Sequence, residues 1–308
     1  MNGLELARAF WEEEGLPMME RDFPDLLPRV AVGLAGSGSE CLGFDDLISR
    51  DHDFEPGFCI FLPGEAVVSR REAFLLERAY AKLPREFRGF RRSGLSPVGG
   101  NRHGPIRAAD FWTEKLGVPD GALSLMDYLT LPDYVLAEAT GGEVFRDDSG
   151  FFTRVREGIV CPPDAVNKKL AGQLFLMGQA GQYNYARCLA HGEKGAAQLA
   201  AGIFVKAALF ARHLIAGVFE PYYKWAFRSL RALPEGEAAA AELEAILAGG
   251  DDTEDRIEAV CRSVAAAARA RDPALPETGE MELLARAVND RVADGEIRNL
   301  HLLYTVRD

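Results

Sequence analysis

A chain of 308 residues has room for two domains of ordinary size, each with its own core. With 48% apolar and 27% charged residues it has the composition of a soluble globular protein, which leaves no place for extended disorder. A formal net charge of −12 repels nucleic-acid phosphates on average and speaks against long nucleic acid as a partner.

Leu4 to Glu14 is predicted as an amphipathic helix, with Leu4, Ala7, Phe10 and Trp11 at helical spacing. Asp22-Phe23-Pro24 and Leu27-Pro28 punctuate a loop, because proline fixes its own φ and biases the residue before it away from helix. Val30 to Leu34 is apolar with β-branched residues and is the first predicted core strand. It runs into Gly36-Ser37-Gly38-Ser39, a turn composition that can aim several backbone N–H groups at one anion. Asp45-Asp46 read first as capping or surface groups. Then come Asp51 and Asp53 around His52. In an extended segment the period of two puts both carboxylates on one side and His52 on the other. Two hard oxygen donors on one face suit Mg²⁺, which takes one or two carboxylates and completes its shell with water and substrate phosphates.

Phe58 to Leu62, bounded by Pro-Gly on both sides, is a predicted buried strand, and Glu65 to Leu83 a helix with Ala66, Phe74, Leu75, Ala79 and Leu83 on its inner side. In residues 84–107 Arg85, Arg88, Arg91, Arg92, Arg102 and Arg107 cluster, either as a solvated basic loop or as a wall of a phosphate site. Ser124 to Glu138 reads as a helix interrupted at Pro132, and Glu143 to Phe145 as a strand before the turn Arg146-Asp147-Asp148-Ser149-Gly150. From about Pro162 alanine rises and helical periodicity takes over, which places a domain boundary near residue 158. Helices are expected at about 164–178, 180–191, 193–218, 222–232, 235–248, 252–271 and 279–292. Ala196 to Phe219 is interrupted by Lys206, Arg212 and His213, so it reads as a buried helix rather than a membrane span.

The five cysteines are an odd number, widely spaced, with no C-x-x-C, so neither a zinc site nor a disulfide framework is indicated and a reducing cytoplasm is expected. Glu12-Glu13-Glu14 stand where a signal peptide needs an apolar core.

The Gly-Ser turn after a strand, followed by Ser49-Arg50-Asp51-His52-Asp53, resembles the signature of the DNA polymerase β type nucleotidyltransferase superfamily. The wider stretch from Gly36 to Asp53, with Gly142 to Asp147 and Glu220 to Trp225, resembles a bacterial branch known as a domain of unknown function. The resemblance implies an α+β fold, with a nucleotidyltransferase-fold mixed sheet and flanking helices over residues 1–157 and an all-α helical bundle over 158–308. It implies Mg²⁺-dependent transfer of a nucleoside monophosphate from a nucleoside triphosphate (NTP) to a hydroxyl of a small-molecule, protein or tRNA acceptor, releasing pyrophosphate.

In that reading Asp51 and Asp53 hold the metal and are catalytic, while Gly36, Ser37, Gly38, Ser39, Arg50 and Lys224 contact the triphosphate. Lys224 is chosen among the helical cations Lys168, Lys169, Arg187, Lys206 and Arg228 for its aromatic surroundings, which suggest partial burial. The superfamily's third carboxylate has no clear counterpart, and Asp110, Asp147 and Asp148 are the candidates. That gap motivates a second expectation, a catalytically inactive nucleotide-binding regulatory protein of the same fold. A third is a scaffold that binds a partner through its helices.

Overall fold

The structure, a computed structural model, describes residues 1–46, 48, 54–92 and 103–306. The fold is α+β, and the chain divides into two compact units. The first comprises Met1–Leu123 with Val135–Val160, the second Ser124–Tyr134 with Cys161–Asp308. Against a boundary expected near residue 158, the division falls at Val160, and Ser124–Tyr134 joins the helical unit. The chain visits that unit once before returning to finish the sheet.

In the first unit α1 (Gly3–Phe10) opens with a reciprocal cap: Asn2 accepts from the Glu5 amide while Glu5 accepts from the Asn2 amide. A π-turn over Trp11–Gly15 leads into α2 (Leu16–Asp22). The sheet strands are β1 (Ala31–Leu34) and β2 (Cys59–Leu62). After α3 (Arg70–Tyr80) and the small hairpin of β3 (Glu86–Phe87) and β4 (Phe90–Arg91) comes β5 (Gly104–Arg107). Then follow α4 (Ala108–Leu116), α5 (Leu125–Thr130), α6 (Asp133–Thr140), β6 (Glu143–Asp147) and α7 (Phe151–Gly158). Pro132 separates α5 from α6, where one interrupted helix is predicted.

The order across the four-stranded sheet is β5-β2-β1-β6, with β1 antiparallel to both β2 and β6 and β2 parallel to β5. Both central strands are buried throughout. Leu6, Phe10, Val32, Phe58, Ile60 and Leu76 belong to one cluster, while Phe61 stacks on Phe152 at 3.9 Å and Phe152 on Trp112 at 4.8 Å. The face of α3 that turns inward is Leu76 and Tyr80, not the predicted Phe74 and Leu75, which are 58% and 46% exposed. Of the other residues predicted inward, Leu83 is buried and Ala79 packs against the same core, so the helix is turned about its axis only as far as exchanging Phe74 and Leu75 for Leu76 and Tyr80.

The second unit adds α8 (Pro163–Met177), a π-helical stretch over Gly178–Tyr185, α9 (Ala186–Ala190), α10 (Lys194–Ala216), α11 (Tyr223–Arg231), α12 (Gly236–Ala248), α13 (Thr253–Arg271), α14 (Met281–Asn289) and α15 (Gly295–Asn299). Among the described residues α10 is long and apolar enough to cross a membrane, with mean hydropathy 1.6. Its Ala197, Ala201, Phe204, Val205, Ala208 and Leu209 are buried among the other helices, as a core helix requires. Lys168 and Lys169, two of the helical cations among which Lys224 is chosen, are also buried. Lys168 Nζ ties down the C-terminal segment through Asn289 Oδ1 at 2.8 Å and the Leu300 carbonyl at 2.6 Å.

Candidate functional site

The turn that follows β1 has the shape its glycines predict. Gly36 and Gly38 take φ of 115° and 129°, a region that L side chains rarely adopt. Gly36 is buried against the backs of Phe111 and Lys115, whereas Ser37 is exposed, so the outer side of the bend is open to a ligand. Among the described residues the amides of Gly36, Gly38 and Ser39 have no hydrogen-bond acceptor. The Ser39 carbonyl is used, accepting from the amides of Leu42 and Phe44 at 3.2 and 2.8 Å, which curls the chain back after the turn.

Two residues that the sequence reading did not single out complete the turn. Lys115, in the last turn of α4, donates to Ser37 Oγ at 2.6 Å and pairs with Glu138 Oε2 at 3.1 Å. The Ser37 hydroxyl donates to the same Glu138 oxygen at 2.7 Å. The Lys115 side chain is 12% exposed, so its ammonium is well shielded from water. Such a triangle sets a cation and a row of unspent amides at one bend, held in check by Glu138, with Glu114 Oε1 a further carboxylate oxygen 3.6 Å from the ammonium. A phosphate arriving there would compete with Glu138 for Lys115.

Arg50, Asp51 and Asp53, together with Ser49 and His52, lie outside the described residues. Before them Asp45 accepts from the Gly3 amide at 2.7 Å and so caps α1 from a distance, while Asp46 accepts from the Ile48 amide at 2.9 Å. The other Asp45 oxygen is buried and has no hydrogen-bond partner among the described residues. A lone buried carboxylate oxygen of this kind is a group that a hard cation would satisfy. No group of three or more His, Cys, Asp or Glu side chains with metal-binding geometry exists among the described residues.

The candidates for a third carboxylate have other work. Asp147 caps α7 by accepting from the amides of Phe152 and Thr153 at 3.0 and 2.9 Å, and Asp148 pairs with Arg146 at 2.6 Å. Asp110 is exposed in the first turn of α4, where it complements the helix dipole. The strand beside β2, β5, carries no carboxylate at all. Much of the basic cluster is likewise engaged: Arg92 lies 4.7 Å over the Tyr80 ring and donates to the Leu83 carbonyl, Arg107 donates to the Pro63 carbonyl, and Arg88 pairs with Glu13. Arg102 lies outside the described residues.

A family model described as a domain of unknown function (DUF4037) matches residues 128–226. No curated protein and no solved structure matches the chain.

The matched span includes a buried polar network in the helical unit. Asp133 and Lys169, 7% and 2% exposed, form an ion pair of 2.6 Å. Burial pushes the Asp133 carboxyl above the ordinary range, with Lys169 pulling the other way. Burial, reinforced by the Asp133 charge, pushes Glu220 up to about 8. His213 is kept neutral by burial and bonds the Leu209 carbonyl at 2.9 Å and Ser229 Oγ at 3.0 Å. Burial raises the Cys161 thiol to about 11, so it is no nucleophile. Lys169 is therefore a structural counter-charge, not an open phosphate ligand.

Lys224 does not have the partial burial expected of it. It is exposed, as are Tyr222 and Tyr223, and its ammonium lies 5.3 Å over the Trp225 ring. The inward face of α11 is Ala226, Ser229 and Leu230, which turns Tyr223 and Lys224 outward. Arg187 lies 5.6 Å over the Tyr183 ring, so its guanidinium is engaged by an aromatic face.

Proposed function

We propose that the chain is a nucleotidyltransferase that binds a nucleoside triphosphate at the Gly36–Ser39 turn and transfers its monophosphate to an acceptor hydroxyl. The observation that carries this reading is the set of unspent amides at Gly36, Gly38 and Ser39 beside the shielded Lys115 ammonium. Backbone N–H groups presented by a glycine turn, with one cation behind them, form an anion cradle that costs little reorganisation when filled. Ser37 offers its hydroxyl once Glu138 lets go of it.

Asp51 and Asp53, with the unpartnered oxygen of Asp45 as a further donor, would hold Mg²⁺. When bound, Mg²⁺ neutralises triphosphate charge and polarises the phosphorus under attack. The acceptor oxygen forms a bond to the α-phosphorus, the bond to the β-phosphate oxygen breaks, pyrophosphate leaves and the hydroxyl proton passes to a carboxylate or to water. The net charge of −12 favours a small molecule, a protein or a tRNA end as acceptor over long nucleic acid.

The test is incubation with Mg²⁺, α-labelled nucleoside triphosphates and a cell extract. Label is expected in a product, matched by pyrophosphate, and both are expected to vanish in Asp51→Asn and Asp53→Asn. A second reading, a nucleotide-binding regulator without turnover, is favoured by the engagement of Asp147 and Asp148 and by the absence of a carboxylate on β5. It predicts saturable triphosphate binding with no pyrophosphate from the wild type.

A further inference from the structure

Three side chains meet at the Gly36–Ser39 bend, and they are held there by different means. The stem of Lys115 lies along the back of the bend, where a Cβ on Gly36 would come within 3.8 Å of its Cε and 3.6 Å of the Phe111 ring. Phe111 is buried, so this packing fixes the approach of the ammonium. Ser37 is carried by the bend itself, whose glycines hold φ of 115° and 129° on either side of it. Glu138 comes from outside, on α6.

The backbone that carries Glu138 is pinned. Leu136, Ala137 and Ala139 around it are buried. At the C-terminal end of α6 the Arg156 guanidinium donates to the Thr140 carbonyl at 3.0 and 2.7 Å and to the Gly142 carbonyl at 2.6 Å. The Gly142 amide in turn donates at 2.5 Å to the carbonyl of Cys41, just past the bend. A Cβ on Gly141 would meet the Ala137 carbonyl at 2.8 Å and the Cys41 carbonyl at 3.2 Å, so the approach is tight. The α6 backbone therefore stands at a fixed distance from the bend. What can move is the Glu138 side chain, 26% exposed against 12% for Lys115.

In that position a single oxygen, Glu138 Oε2, takes both donors at once: Ser37 Oγ at 2.7 Å and Lys115 Nζ at 3.1 Å. Glu114 adds a second carboxylate 3.6 Å from the same ammonium. The bend at rest therefore sets one cation against two carboxylates, and a phosphate group can take Lys115 only in exchange for Glu138. A charged oxygen between a serine hydroxyl and an ammonium, beside the amides of a glycine turn, stands where an oxygen of a bound phosphate would stand. We infer that Glu138 is an internal competitor for the phosphate position, an autoinhibitory contact that keeps the Gly36–Ser39 turn closed until a ligand displaces it. The inference rests on the reading of that turn as an anion cradle. It adds that a carboxylate on a different element sets the cradle's affinity. A ligand with several phosphates, able to use Lys115 and the turn amides together, is the one that offsets the exchange.

Calorimetric titration of the full chain with sodium tripolyphosphate in EDTA, so that no metal takes part, tests the competitor in the wild type, Glu138→Gln, Lys115→Met and the double variant. Glu138→Gln keeps the size of the side chain and removes its charge, and it is expected to tighten tripolyphosphate by about tenfold or more. In the Lys115→Met background the same change is expected to alter affinity by less than about twofold, because the exchange it relieves no longer exists. Glu138→Ala, which vacates the position, is expected to gain at least as much as Glu138→Gln while far-UV circular dichroism keeps the wild-type spectrum. An equal gain with and without Lys115 would show diffuse repulsion, and no gain, or a loss, would leave Glu138 a structural tie between α4 and α6. Either result overturns the competitor while the cradle stands. No saturable tripolyphosphate binding by any of these proteins would sink the cradle and the competitor with it.

Discussion

Glu220 is a carboxyl that folding prefers neutral, since burial raises it from an ordinary 4.5 to about 8. For an acid shifted upward, the unfolded chain gives up its proton first. Its contribution to stability is therefore complete below about 4.5, falls as pH rises, and is gone above about 8. Thermal unfolding should then show a wild-type Tm that drops between about pH 5 and about pH 9, and Glu220→Gln should flatten that drop and be the more stable protein at the alkaline end, by ~2–4 kcal/mol. An unchanged pH profile in the glutamine variant would place the carboxyl in water instead. Its neighbour Asp133 has the opposite dependence on a partner. Asp133→Asn leaves the Lys169 ammonium buried and uncompensated and should cost ~3–5 kcal/mol in urea unfolding, whereas Asp133→Leu with Lys169→Met should recover most of the loss. Residues of this kind explain what could be read in advance. The Gly36–Ser39 bend was legible because its chemistry is local: glycines at positive φ and small hydroxyls announce a turn. Lys115 and Glu138 were not, since they stand 78 and 101 residues from Ser37 and neither has a motif of its own.

At the level of elements, β1 and the entry to β6 approach so closely that glycine is needed both within β1 and just before β6. A Cβ on Gly33 would meet the Glu143 carbonyl at 2.4 Å, and one on Gly142 the Leu34 carbonyl at 2.0 Å. The register shifts between Val32 and Gly33 at the same place, so the contact helps set where β1 ends and the anion turn begins. Gly33→Ala should destabilise the protein by ~1–3 kcal/mol in chemical denaturation and, by displacing the turn, also weaken triphosphate binding. A variant with wild-type stability would show that the strands can part at no cost. The strands β1, β2 and β6 and the long helices of the second unit followed from apolar runs, proline breaks and alanine-rich periodicity, because those signals are written within a few residues, whereas α4, α7 and α15 were not predicted. The inner face of α3 did not follow, because Phe74 and Leu75 compete with Leu76 and Tyr80 and only tertiary packing decides. The role of Asp147 was equally hidden: a carboxylate at the end of a strand serves a metal or the next helix, and here the amides of Phe152 and Thr153 claim it.

For the whole molecule the sequence placed one change of character near residue 158, where composition shifts, but not the earlier excursion of Ser124–Tyr134 into the helical unit. That excursion leaves no compositional trace, since α5 is an ordinary capped helix. It has consequences for fragments. A chain of residues 1–160 retains every strand of the sheet and should give a cooperative unfolding transition, whereas residues 1–123 lack β6 and should not. Residues 161–308 lose Asp133 and should be less stable than 124–308, a difference that denaturant titration would register. What ties these scales together is the bend after β1, where strand packing, a distant lysine and three unspent amides meet. Nuclear magnetic resonance of the amides of Gly36, Gly38 and Ser39, followed while a non-hydrolysable nucleoside triphosphate and Mg²⁺ are added, probes that meeting point directly. Saturable shifts of these three amides, with affinity reduced about tenfold or more in Lys115→Met, are expected. Triphosphate binding that leaves all three amides unmoved, or no binding at all, would contradict the proposed cradle.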